Sequence, residues 1–267
     1  MPSNCHPISQ RTQRQRGVAL FVVLVAVMLS MLLALWASRT SLFNEMVVSN
    51  DADYQRAFEA AQALLQDAEL DIRSADYDVE TNKTIDNLDC SAGGDVCRSS
   101  TADRFPLEAK EITALINTLD TQPTNCRNGL CTRRTGRQDF WNYTKNTNPP
   151  PEDLQDGEVF LEDLTKEGIG ARFGQYTGAK LGDASKPANP ILADRSADNK
   201  GGWYWIEIIP YADPSKTNAL IVDSEANQLK LNLDVYVIYR ITAIAFGRKE
   251  GTMVALQETY ARQRKKD

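Results

Sequence analysis

The residues of this chain with types and spacing suited to chemistry are few, and the cysteines lead them. There are five in 267 residues, Cys5, Cys90, Cys97, Cys126 and Cys131. The last four form an even set, which in an oxidising compartment reads as disulfides. Their spacings suggest two local loops, Cys90–Cys97 around Gly93-Gly94 and Cys126–Cys131 around Asn128-Gly129. A crossed pairing such as Cys90–Cys131 is also allowed by the sequence. Four thiolates can instead hold zinc, but neither spacing is the tight C-x2-C of a zinc site. Asp194 to Asn199 offers oxygen ligands without the glycine and terminal glutamate of a calcium loop. No metal and no cofactor is expected.

A lone histidine, His6, precedes anything that looks folded. Chemistry that needs a histidine base or several histidine ligands is therefore disfavoured. There is no G-x-S-x-G, no phosphate-cradling loop and no recognisable acid pair, so an enzyme is not expected. Arg127, Arg133, Arg134 and Arg137 stand beside Phe140, Trp141 and Tyr143. Such a cluster offers phosphate contacts and stacking to an anionic polymer. A solvated loop balanced by nearby acids accounts for the same residues, and the net charge of −6 argues against a general nucleic-acid binder. Asn82-Lys83-Thr84 and Asn142-Tyr143-Thr144 fit the N-glycosylation pattern, a weak signal.

The elements that carry these residues are uneven. Val18 to Ala37 reads VALFVVLVAVMLSMLLALWA, with no charge and only Ser30 strongly polar. A helix of about 20 residues spans a bilayer core, and a run apolar all round has no polar face to show water. A secretory signal is the nearest alternative. Its apolar core is about 7–15 residues and ends at small residues, whereas Leu35-Trp36-Ala37 places a large residue at minus three. Arg11, Arg14 and Arg16 precede the run, and Arg39, Glu45, Asp51 and Asp53 follow it, so the amino terminus is expected to be cytoplasmic.

Beyond Arg39 neither Pro nor Gly occurs until Gly93. Phe43, Val47, Tyr54, Phe58, Ala61, Leu65, Ala68 and Ile72 recur at helical spacing. One helix from Val18 to about Ala75 is expected, roughly 85 Å long. Pro106 to Leu119 predicts a short helix with Ile112, Leu115, Ile116 and Leu119 on one side. Thr121 to Gly202, rich in Pro, Asn, Gly and Asp, reads as long loops. Every odd residue from Leu231 to Ala245 is apolar, which predicts a strand with one buried face. After the turn at Gly247–Gly251, Val254, Leu256 and Tyr260 mark a returning strand, and Trp203 to Ile209 a third. Trp203-Tyr204-Trp205 reads as core, with a binding platform as the alternative.

Gln15-Arg16-Gly17-Val18-Ala19-Leu20, directly before the apolar helix, resembles the class III leader of type IV prepilins. Glu45-Met46 through Asn50, Arg56 to Ala61, and Ala68-Glu69 resemble the amino-terminal region of PilX-type minor pilins. Tyr239 to Ala243 and Val254 to Arg262 resemble that family's closing strands. The resemblance implies an α+β, type IV pilin-like fold, in which a long N-terminal helix packs on a C-terminal antiparallel sheet with a loop-rich, disulfide-containing middle. It divides the chain into a leader (1–17), a transmembrane half-helix (18–37), an amphipathic half (38–75), a loop-rich region with a short helix and two disulfides (76–202), and the sheet (203–267).

It further implies that a prepilin peptidase cuts after Gly17 and that Val18 becomes the N-methylated terminus. Removal of the three leader arginines would take the side-chain charge from −6 to −9. Implied partners are other minor pilins and the major pilin, through the helix. The implied location is the inner membrane, single-pass with the C-terminal domain periplasmic, and then the fibre or its tip, in support of twitching motility and adhesion. Residues 121–202 are where a surface or DNA contact would lie. One departure stands out: most pilins have glutamate at mature position five, where this chain has Val22. In the family that glutamate is thought to neutralise a neighbour's positive terminus, and an unpaired charge in hydrocarbon is costly. A subunit without it can start an assembly but is poorly equipped to add beneath another. The resemblance thus implies a place at or near the tip of a priming complex, similar to the K-type minor pseudopilin of type II secretion. A tip adhesin or DNA-binding module is the other alternative.

Overall fold

The computed structural model describes residues 16–74, 76–78, 83–85, 97–98, 103–106, 108–145, 158–210 and 236–262. The chain divides into two units between Asp51 and Ala52, and one helix, α1 (Arg16–Arg73), contributes to both. In the first unit the apolar side chains of α1 are exposed, Phe21, Leu32 and Trp36 among them. Ser30 Oγ donates to the Ala26 carbonyl at 2.8 Å and Thr40 Oγ1 to the Trp36 carbonyl at 3.0 Å. Both hydroxyls are thus satisfied within the helix, as a segment surrounded by lipid requires. Among the described residues α1 is the one helix long and apolar enough to cross a membrane.

In the second unit α1 buries Ala57, Ala60, Ala61, Leu64, Ala68 and Ile72 at spacings of three and four. The apolar stripe read from sequence holds at Ala61, Ala68 and Ile72, but needs correction elsewhere. Phe58 and Leu65 are half-buried, while Phe43, Val47 and Tyr54 are exposed. Alanines take the centre of the face because their small side chains let the sheet come close, and the larger residues flank them.

The sheet has the order β3-β4-β5-β6-β7, from β3 (Cys126–Arg127), β4 (Leu130–Thr132), β5 (Gly202–Pro210), β6 (Val237–Phe246) and β7 (Met253–Tyr260). The last three strands are antiparallel as anticipated, although residues 231–235 lie outside the described residues. β4, however, runs parallel to β5, Leu130 opposite Ile206, so the sheet is mixed and includes two strands from the loop-rich middle. A separate antiparallel pair joins β1 (Asp76–Asp78) to β2 (Lys83–Ile85).

Strand periodicity divides the core into two. Tyr204, Ile206 and Ile208 of β5, with Val237, Tyr239, Ile241, Ala243 and Ala245 of β6, share one cluster with the α1 stripe. Trp203 and Trp205, on the other face, pack with Ile244, Phe140, Leu161, Leu164, Cys126 and Cys131. Each fully buried Ile or Leu contributes about 1.5–3 kcal/mol. Close approach is needed where Gly202 of β5 lies under α1: a Cβ there would be 2.5 Å from Leu64 Cδ1 and 3.1 Å from the Ile244 carbonyl oxygen.

Short elements complete this unit. Helix α2 (Ala109–Asp120) begins with the Glu111 carboxylate accepting from the Glu108 N–H at 3.3 Å and buries Ile112, Leu115 and Leu119. A 3₁₀ turn spans Phe140–Asn142, and α3 (Leu161–Leu164) and α4 (Pro190–Ala193) are single turns. The hairpin between β3 and β4 turns at Asn128 (φ 52°) and Gly129 (φ 80°), the left-handed pair of a type I′ turn.

Candidate functional site

The residues tied by resemblance to processing and assembly all lie at the start of α1. Gly17 falls in its first turn, and Val18 and Val22 follow one turn apart on one exposed apolar face. Residues 1–15 of the anticipated leader lie outside the described residues. What this face offers is apolar surface for lipid or a like helix. At Val22 it presents no carboxylate.

The second unit shows a feature that apolar periodicity does not flag. Three aspartates, Asp53, Asp67 and Asp71, lie on the buried stripe of α1, each no more than 3% exposed. Each holds a different segment. Asp53 accepts the backbone N–H groups of Arg248 and Lys249, both at 3.0 Å, and so fixes the β6–β7 turn. Burial pushes its carboxyl up, but those N–H donors outweigh it and leave it below the ordinary value. Asp67 accepts from the Gly174 N–H at 2.7 Å and from the Thr177 hydroxyl. Here burial wins: with the charge of Asp71 added, the Asp67 carboxyl is pushed up to about 7, against the Thr177 and Gly174 bonds.

Asp71 receives two groups. Arg98 donates from Nε (2.8 Å) and Nη2 (2.6 Å), and the Tyr204 hydroxyl of β5 donates at 2.9 Å. The Arg98 guanidinium lies 3.8 Å from the Tyr176 ring centroid, and its Nη1 donates to the Asn128 carbonyl at 2.9 Å. Burial pulls Arg98 down, and the Asp71 carboxylate more than offsets this, so it stays charged. Cys97, next to Arg98, is disulfide-bonded, while Cys90 lies outside the described residues.

Cys126 and Cys131 form the anticipated local disulfide, as opposed residues of β3 and β4. The arginines that follow do not form one surface. Arg127 pairs with Asp103 at 2.7 Å, Arg137 with Glu158 at 3.6 Å, and Arg134 is buried with its guanidinium 3.8 Å from the Phe140 centroid. Nearby acids and aromatics of the same fold thus occupy three of the four cations. Trp203 and Trp205 are core residues, donating to the Asp198 and Leu164 carbonyls at 2.8 and 3.3 Å. Asp194 caps its own turn by accepting from Ser196. Among the described residues no group of His, Cys, Asp or Glu is placed to hold a metal ion. A cleft of about 300 Å³ lies between Arg56, Glu59, Asn189, Ile191 and Arg248, with Glu59 as its one carboxylate between two arginines.

Two family models match the chain. The family model described as PilX N-terminal matches residues 16–66, most of α1. The model described as type IV pilus assembly protein PilX C-term matches residues 127–262, from the β3–β4 hairpin to the end of β7. No curated protein and no solved structure matches the chain significantly. With an apolar helix fit to anchor it, an α+β domain built on that helix, and a C-terminal match over half its length, the chain belongs to the PilX family of type IV pilus minor pilins.

Proposed function

We propose that this minor pilin joins an inner-membrane priming complex and remains at or near the fibre tip, supporting twitching motility and adhesion. The observation that carries this reading is the exposed apolar surface of α1 from Val18 onward, which has no carboxylate at Val22. Prepilin peptidase cleaves after Gly17 and Val18 becomes the methylated terminus. The leader arginines keep the amino terminus cytoplasmic and the remaining domain outside. Released helices then bundle with those of other minor pilins and the major pilin. Assembly consists of packing and needs no chemistry in this subunit. The runner-up, a K-type role in a type II secretion pseudopilus, draws on the same Val22. A tip module that binds DNA through residues 121–202 is less favoured, because Arg127, Arg134 and Arg137 are engaged within the domain.

Amino-terminal sequencing of the protein from cells with an active prepilin peptidase tests the reading. A methylated Val18 is the expected first residue, and a terminus at Met1 would end the pilin assignment. Val22→Glu tests the tip placement: altered incorporation is expected, and unchanged incorporation and piliation would show that the missing carboxylate does not determine position.

A further inference from the structure

Among the described residues Arg134 is a buried cation whose Nε and Nη1 have no hydrogen-bond acceptor. Its Nη2 faces sulfur, 3.8 Å from Cys131 Sγ and 4.0 Å from Cys126 Sγ. Phe140 covers the guanidinium at 3.8 Å. The nearby carboxylate of Glu207 is committed elsewhere, accepting two bonds of 2.7 Å from Arg240 and one of 2.9 Å from the Arg134 backbone N–H. Burial pulls the guanidinium down to about 10, with the Glu207 charge offsetting this only in part.

A buried cation without an anion is costly, and a disulfide sulfur is a weak acceptor. Reduction supplies the missing anion, because a thiolate beside a guanidinium is stabilised and its thiol ionises more readily. Whatever stabilises the reduced form makes the couple easier to reduce. We propose that Cys126–Cys131 is a thiol–disulfide exchange site, biased by Arg134 toward its reduced state, with an external dithiol as co-substrate.

Both sulfurs are buried, so attack follows opening of the β3–β4 hairpin, in which β3 is the outermost strand. A thiolate of the dithiol attacks Cys126 Sγ. The S–S bond breaks, and its electron pair leaves on Cys131 Sγ, the sulfur nearer Arg134. The second thiol of the dithiol loses its proton to solvent and attacks the mixed disulfide, displacing Cys126 Sγ, which takes up a proton. The dithiol is oxidised by two electrons and the protein disulfide is reduced by two.

The full chain in detergent micelles, equilibrated in reduced and oxidised dithiothreitol, tests this by differential alkylation and peptide mass mapping of Cys126 and Cys131, with Cys97 as internal reference. Arg134→Met is expected to lower the equilibrium constant for reduction at least tenfold, about 30 mV for a two-electron couple. Arg134→Lys, which keeps the charge, should stay within about threefold of the parent, a smaller loss than full removal of the cation. The gap between parent and Arg134→Met should widen from pH 6 to pH 8.5, since only the thiolate interacts with the cation, and Cys97 should not move. Arg134→Gln serves in the same comparison if Arg134→Met does not fold. A couple equally or more reducible without the cation, or equal shifts in the lysine and uncharged variants, overturns the proposal.

Discussion

Asp67→Asn should make the protein more stable at pH 8 while changing little at pH 4.5. The Asp67 carboxyl is moved from its ordinary 3.8 to about 7, chiefly by burial under the loop that carries Gly174 and Thr177. At about 1.4 kcal/mol per pH unit, ionising it in the folded state costs up to about 4 kcal/mol more than in the unfolded chain. The direction is opposite to that of an ordinary paired carboxylate. The folded state holds this proton more tightly, so the stability it lends is complete below about pH 4, falls as pH rises through 7, and stays low above that. The charges that face it are those of Asp71, which add to the shift, and of Arg195, which oppose it. An amide keeps an oxygen for the Gly174 N–H or the Thr177 hydroxyl and never ionises. The variant should therefore gain about 2–4 kcal/mol at pH 8 and stay within about 1 kcal/mol of the parent at pH 4.5. Urea unfolding of the full chain in micelles, followed by tryptophan fluorescence at both pH values, measures this. A loss of stability at pH 8 equal to or larger than that at pH 4.5 would refute it, and would mean that the ionised carboxylate is a net favourable latch.

Three further outcomes follow from the same seam. Arg98→Met should cost about 3–5 kcal/mol, since it leaves the Asp71 carboxylate buried without its cation, and Arg98→Met with Asp71→Leu should recover most of that in urea unfolding. Gly202→Ala forces a methyl against Leu64 and the Ile244 carbonyl and should lower stability by about 1–3 kcal/mol, with no recovery at any pH. Burial, then the charge of Glu69 and a hydrogen bond to it, push the Glu258 carboxyl up to about 7. Glu258→Gln should accordingly flatten the fall in Tm between pH 5 and pH 8.

Sequence patterns revealed the long helix, the three C-terminal strands and the Cys126–Cys131 loop because each has a local signal: an uninterrupted apolar run, period two, and Asn-Gly between cysteines. Strands β3 and β4 escaped because two or three residues carry no period, and the parallel pairing of Leu130 with Ile206 has no local signature at all. The aspartate seam was missed for a different reason. Apolar periodicity leaves Asp53, Asp67 and Asp71 as gaps and runs the face through Tyr54 and Phe58 instead. Helical spacing from Asp53 to Ala57 and Ala60, and from Leu64 to Asp67 and Asp71, was available as a signal. The arginine cluster was visible in one dimension, but the acids that disperse it, Asp103 and Glu158, are brought in by the fold.

The aspartates also bear on how the chain is made. Strands β6 and β7, which cover the helix, follow it by more than 160 residues in the sequence, so the alanine-rich face of α1 is made well before its cover. An aspartate costs about 2.5–3.5 kcal/mol at the centre of an inserting helix, and Asp53 is the first of these three after the apolar run. The carboxylates that later hold loops and strands in place thus add, behind Arg39, Glu45 and Asp51, to the cost of drawing that face into lipid before any partner strand exists.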